Sequence, residues 1–208
     1  MTPRRFVDLA LRPALHLLPA KMRALEAQAL ILAICLQESK LQHRRQKPHG
    51  KARGYAQFEP AGVTGVFKHP RTGELAVQFC YDLDVSPRTA AVHTALEFHD
   101  VLGVGFARLL IWTLPNRLPH QHDAEHAWIQ YLEAWRPGKP RWDGWPDHYA
   151  AAWATILEPP PPLRAEPGAH HYLSTACQHG QHHDCRHVCK FCPAKCQCFC
   201  HRHAEATP

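Results

Sequence analysis

The chain has 208 residues, 45% hydrophobic and 20% charged, with a formal charge of +6; this fits one main core plus a small appendage and excludes a disordered polyelectrolyte. Nine cysteines and eighteen histidines are the unusual totals. Seven Cys and eight His lie between His170 and His203, whereas residues 1–157 hold only Cys35 and Cys80, which excludes a disulfide framework running through the whole chain.

The N-terminal stretch begins with a basic pair, Arg4 and Arg5, but Asp8 and Arg12 interrupt the apolar run that follows. An amphipathic helix is expected there rather than a signal peptide. Residues 24–36 are apolar almost all round, the pattern of a buried helix. The longest apolar run, 29–36, is far short of a bilayer span, so a soluble chain without a transmembrane segment is expected. Two isolated Cys in this part fit a reducing compartment. Further helices are expected over 73–83, 88–112, 123–135 and 146–157, with Asp123 as an N-cap and Pro146 in a first turn. Residues 54–58 give the single hint of a strand, and the fold class expected is mainly α.

A run of four prolines, 159–162, makes a stiff extended spacer. The expected organisation is a helical domain over 1–157, a linker over 158–169, a Cys/His-rich module over 170–203 and a disordered tail over 204–208. Residues 1–157 carry 19 Lys/Arg against 14 Asp/Glu, so five of the six net positive charges lie there. Lys40, Arg44, Arg45, Lys47, Lys51 and Arg53 cluster without an intervening acid. They read either as a solvated loop or as a face for a polyanion, nucleic acid or an anionic cell wall. No aromatic residue interleaves with them before Tyr55, which speaks against single-stranded nucleic acid.

The expected buried helix runs into Gln37-Glu38-Ser39. Burying a carboxylate costs free energy unless it is paired or protonated, and an apolar setting raises its pKa. The negative end of the helix dipole acts in the same direction. A group so placed suits general acid chemistry near neutral pH. The alternative is that Glu38 emerges into solvent and pairs with Lys40 or Arg44.

After a basic loop comes Gly54-Tyr55-Ala56-Gln57-Phe58-Glu59. With Glu38-Ser39 before it, this segment resembles the soluble lytic transglycosylase and goose-type lysozyme superfamily, and phage lysozyme-like proteins in particular. That family has a buried helix ending in Glu-Ser, a variable loop, then a Gly-x-x-Gln segment. The resemblance extends over residues 20–157. Its late Ala-Tyr-Asn-x-Gly motif has its nearest counterpart around Tyr131, with Leu132 where Asn would stand, and Tyr149 is a candidate for the Tyr of the closing helix. The resemblance implies a lysozyme-like helical domain that cuts the MurNAc–GlcNAc bond of peptidoglycan with Glu38 as the single catalytic carboxylate. It implies substrate contacts from Ser39, Gly54, Tyr55, Gln57 and Tyr131, with Phe58, Trp128 and Trp135 as further candidates for sugar stacking or for core. Glu59 is open between a second carboxylate and a cap or ion-pair partner. The family setting further implies delivery from host cytoplasm by holin-type release, or carriage in a virion.

The tail supplies Cys177, His179, Cys185, Cys189, Cys192, Cys196, Cys198, Cys200 and His201 as metal ligands, with His182 able to replace His179. The Cys189-x2-Cys192 pair has zinc-knuckle spacing. Eight ligands, with one of Cys198 or Cys200, would hold two structural zinc ions. Large apolar residues are few here, so the module needs staples to fold. Disulfides are the alternative, but an odd number of thiols and three alternating Cys fit them poorly. Zinc is preferred for thiolate and imidazole ligands, with an iron–sulfur centre as the other option. Two functions follow: a peptidoglycan-cleaving enzyme of endolysin type, or a non-catalytic lysozyme-fold protein whose zinc module binds nucleic acid or a protein partner.

Overall fold

The computed structural model describes residues 1–46, 50–159, 172–190, 194–198 and 201. The chain divides into two compact units, Met1–Glu158 and Pro159–Pro208. Most of the expected linker, the expected tail and the ligand candidates Cys192 and Cys200 lie outside the described residues.

The larger unit is helical. Its first helical stretch comprises α1 (Pro3–Phe6), a π-helical segment (Val7–Leu11) and α2 (Arg12–Leu17). Pro13 has no N–H to donate to the preceding turn, and the wider π-helical turn just before it absorbs that loss. The stretch is amphipathic, as expected: Phe6, Val7, Leu11 and Leu15 are buried, while Leu9 and Leu17 face out. Asp8 bridges Arg4 and Arg12, one turn to either side, at 2.9 and 2.8 Å.

A 3-10 turn (Ala20–Met22) leads into α3 (Leu25–Ser39), in which every residue from Ala29 to Leu36 is buried. Helices α9 (Trp145–Leu157) and α7 (Asp100–Thr113) and the π segment pack around it. Burial on all sides explains why its sequence is apolar all round.

Beyond α3, the chain forms α4 (Pro60–Lys68), α5 (Gly73–Asp82), α6 (Thr89–Ala95) and α8 (Ala124–Trp135). Asp123 caps α8 by accepting from the His126 N–H at 3.1 Å, and Pro146 stands in the first turn of α9, both as expected. Two expectations need correction. The single helix over 88–112 is two, α6 and α7, separated by a turn in which the His99 ring accepts from the Leu102 N–H. No glycine or proline marks that break, so periodicity runs through it. Residues 54–58 form a tight turn closed by paired Arg53–Phe58 backbone bonds of 2.9 and 2.8 Å, with isolated bridges only.

The basic cluster is also less free than its sequence suggests. Arg44 makes a bidentate pair with Asp100, at 2.8 and 2.7 Å, and Arg45 and Arg53 both reach Glu97. Both acids sit beside the α6–α7 break, which turns them toward this loop. Among the described residues, no helix is long and apolar enough to cross a membrane.

In the smaller unit, Ser174 caps the one-turn helix α10 (Thr175–Gln178), and a 3-10 turn (His182–Asp184) follows. Isolated bridges join Tyr172 to Cys196 and Val188 to Lys195. Among the described residues of this unit, Cys177, Cys185, Cys196 and Cys198 form a buried cluster, with Tyr172 packed against them.

Candidate functional site

Glu38 lies in the last turn of α3 and is half-buried. Just after it, Lys40 and Leu41 both take left-handed backbone angles, φ 51° and 54°, which end the helix and turn the chain sharply. Two successive non-glycine residues in that region are strained and need support. The Ser39 hydroxyl provides it, donating to the Cys35 carbonyl at 3.0 Å and accepting from the Leu41 N–H at 3.2 Å. Buried Leu41 completes the anchor.

The Glu38 carboxylate has a specific partner. Tyr131 Oη, on α8, donates to Glu38 Oε1 at 2.7 Å across 93 positions of sequence. Burial raises the Glu38 pKa, and the Tyr131 hydrogen bond pulls partly against it. Burial and the neighbouring carboxylate push the Tyr131 phenol up, so its proton stays on its oxygen. Tyr131, 3% exposed, stacks on Trp145 with centroids 5.1 Å apart and also meets Trp128 and Trp135. Trp128 in turn packs edge-on against Trp142, which is 39% exposed.

The turn at 54–58 joins this arrangement through Trp135. The Trp135 indole N–H donates to the Ala56 carbonyl at 2.7 Å, and its ring meets Phe58 edge-on. Gly54 needs its left-handed φ of 72°, and a Cβ there would lie 2.9 Å from the Leu96 carbonyl oxygen. The helix end, the turn and α8 are thus held by one set of contacts.

The other expected substrate residues are engaged internally. Ser39 is buried in the helix terminus. Tyr55 is buried against Phe6, with the Arg44 guanidinium over its ring. Gln57 donates its side-chain amide to the Gly54 carbonyl at 2.7 Å. Exposed Glu59 occupies the N-cap position of α4, without a capping side-chain hydrogen bond. Tyr149 donates to the Pro119 and His120 carbonyls from the core.

Three positions near Glu38 were not singled out from sequence. Gln37 donates to the Arg141 carbonyl at 2.8 Å, and its amide oxygen lies 2.8 Å from His148 Nδ1. Gln37, Arg141 and His148 therefore tie the end of α3 to the α8–α9 connection and to the first turns of α9. Only the adjacency of Gln37 to Glu38 could have suggested this, since all three are ordinary surface residue types. The two thiols of this unit are core groups: burial raises Cys80 to about 11 and pushes Cys35 higher still.

Among the described residues of the smaller unit, two donor groups each lie within 4.8 Å: Cys177, Cys185, Cys196 and His201, and Cys177, His182 and Cys198. His201 Nε2 is 3.4 Å from Cys177 Sγ and 3.1 Å from Cys185 Sγ, and Cys198 Sγ is 3.5 Å from His182 Nδ1. A tetrahedral ion at ordinary zinc-ligand bond lengths sets thiolate and imidazole donors roughly 3.5 Å apart. The donors therefore fit around a metal ion. Ser174 and His187 donate to the ligand sulfurs: Ser174 Oγ to Cys185 at 3.1 Å, Ser174 N to Cys196 and His187 N to Cys185, both at 3.3 Å. Such donors stabilise thiolates and orient them. Of the expected ligands, Cys177, Cys185, Cys196, Cys198 and His201 come together, with His182 in the role given first to His179. Exposed His179 ends α10, and neither it nor Cys189 belongs to these groups.

No protein-family model, curated protein or solved structure matches the chain.

Proposed function

We propose that the larger unit is a single-carboxylate glycosidase of the lysozyme and lytic transglycosylase type, acting on the MurNAc–GlcNAc bond of peptidoglycan. The observation that carries this reading is the pairing of Glu38 with Tyr131. A carboxyl group kept partly out of water, with a raised pKa and a fixed hydroxyl partner, has the properties of a general acid. The rings around Trp128 and Trp142 offer an aromatic surface beside it.

In the chemistry proposed, Glu38 gives its proton to the glycosidic oxygen as the C1–O bond breaks. The substrate's acetamido oxygen bonds to C1 in its place, standing in for a second carboxylate. The Glu38 carboxylate then takes the proton of the sugar's 6-hydroxyl. That oxygen closes on C1 and expels the acetamido oxygen, giving a 1,6-anhydro product; attack by water instead gives hydrolysis. Tyr131 orients the carboxyl oxygen that it touches. The setting proposed is phage or prophage cell-wall lysis, with holin-type release from host cytoplasm or carriage in the virion.

The smaller unit is proposed to hold structural zinc. Three thiolates and one imidazole form a soft tetrahedral donor set, and their sulfurs, with that of Cys198, make up the buried cluster among the described residues of this unit. Elemental analysis with thiol titration tests this: less than one zinc per chain, with free thiols, would refute it.

A second reading has its own support. Ser39, Gln57 and Tyr55 are all engaged within the protein, and Leu132 stands where the family has Asn. These features favour a non-catalytic lysozyme-fold protein whose zinc module contacts nucleic acid or a protein. A zymogram and a turbidity assay on several wall types separate the two readings. Lysis by the wild type, lost in Glu38→Gln by roughly 10²- to 10⁴-fold, supports the enzyme; a wild type inactive on every wall supports the second reading.

A further inference from the structure

Arg108, on α7, is only 1% exposed. Its Nε–H donates to the Met22 carbonyl at 2.7 Å, but neither Nη1 nor Nη2 has a hydrogen-bond partner among the described residues. Leaving the buried donors of a charged group unmet costs free energy. Burial lowers the Arg108 pKa to about 10, so the guanidinium still carries its charge at neutral pH.

Two more cations gather at the same place. Trp112 stands one turn after Arg108 on α7, and its ring centre lies 4.8 Å from the guanidinium carbon. The same ring centre is 5.3 Å from the guanidinium carbon of Arg71 and 5.6 Å from Lys21 Nζ. Arg71 comes from the turn between α4 and α5, and Lys21 from the 3-10 turn whose Met22 holds Arg108. Lys21 and Arg71 are exposed and Trp112 is half-buried. Among the described residues, no carboxylate pairs with any of the three cations. A ring face attracts each cation but does not neutralise it.

We infer that Lys21, Arg71 and Arg108 form a binding site for a dianionic phosphate group. None of these residues takes part in the Glu38 arrangement. A bound oxyanion supplies both things that Arg108 lacks, acceptors for its Nη groups and opposite charge. A guanidinium presents parallel donors that match two phosphate oxygens. Arg108 Nε is committed to Met22, which leaves Nη1 and Nη2 for the ligand. A carboxylate has two oxygens, whereas a phosphate has enough for this fork and two further cations. Lys21 and Arg71 have long, exposed side chains that can close onto such a group. Helical side chains lean toward the N-terminus, so the Trp112 ring overlies the turn that carries Arg108. The ring has to rotate aside as the anion enters, which couples binding to its fluorescence.

Calorimetric titration of the full chain with inorganic phosphate at fixed ionic strength tests this, with melts in parallel and acetate as the control anion. One phosphate is expected to bind saturably and to raise the melting temperature. Tryptophan fluorescence should respond, and Trp112→Phe should remove the response. The double variant Lys21→Gln, Arg71→Gln, changed at exposed positions only, should bind roughly tenfold or more weakly. Arg108→Met should lose the phosphate-dependent rise in melting temperature; if it fails to fold, the double variant decides. Glycerol 3-phosphate in a second arm separates the sources of the group. Tighter binding of the inorganic ion identifies free phosphate as the ligand, and tighter binding of the ester identifies a phosphomonoester. Absence of saturable binding of either, or an equal response to acetate, would overturn the site. So would phosphate binding unchanged in the double variant or in folded Arg108→Met, since other bases would then hold the anion.

Discussion

Glu38 keeps its carboxyl half-buried beside the Tyr131 hydroxyl, where burial favours the protonated form. Its folded-state pKa lies above its unfolded one, so the native state binds this proton more tightly. The resulting stabilisation is present below the ordinary glutamate pKa and is lost as pH rises through the raised value. Glu38→Gln removes the ionisation and keeps a hydrogen-bonding oxygen. Thermal melts should show the variant gaining on the wild type between pH 4 and pH 7; a variant that loses ground over that interval would contradict this. Tyr131→Phe keeps the stacking on Trp145 and removes the bond that lowers the Glu38 pKa. If the proposed glycosidase activity is present, its pH profile in this variant should extend to higher pH on the alkaline side, because Glu38 would stay protonated further. Denaturant titration at pH 7 should give a loss on the order of 1–3 kcal/mol, the usual cost of leaving a buried hydrogen-bonding group without its partner.

The elements around Glu38 depend on a few backbone positions. Gly54→Ala would place a Cβ 2.9 Å from the Leu96 carbonyl oxygen and force a side chain into a left-handed conformation. The expected cost is about 2 kcal/mol, read as a lowered melting temperature; an unchanged melt would mean that the turn relaxes freely. Gly105 in α7 faces the Phe79 ring of α5, which an added Cβ would strike. Gly105→Ala is therefore an overpacking change expected to destabilise by about 1–3 kcal/mol in the same assay. The break between α6 and α7 has a role of its own, since it carries Glu97 and Asp100 to the bases of the 44–53 loop. The two acids there offset two of the six positive charges that the sequence offers to a polyanion.

The whole chain is two compact units stabilised in different ways. The larger has a helical core of buried apolar side chains, and the smaller has a cluster of cysteines. All six tryptophans lie in the larger unit. If the smaller unit holds metal as proposed, a strong chelator should therefore leave tryptophan fluorescence and the main thermal transition unchanged, while the thiols of the smaller unit become reactive. A large shift of the tryptophan signal on chelation would show that the larger unit depends on the smaller.

Much of the helix content was legible in the sequence because it rests on local features: the apolar run of α3, the Asp123 cap and the proline at the start of α9; α4 was not foreseen. The candidate carboxylate was legible too, since a charge ending an all-apolar helix stands out in one dimension. The α6–α7 break was not, because tertiary ion pairs hold it and no turn residue announces it. Nor was the turn at 54–58, closed by paired backbone bonds that periodicity does not encode. The tail's composition alone marked a module that could hold a metal, with its Cys and His concentrated after the prolines. Which imidazole joins which thiolates depends on where α10 and the following turn carry them. That choice of His182 over His179, like the meeting of Glu38 with Tyr131, is a fact of three-dimensional distance that sequence spacing cannot express.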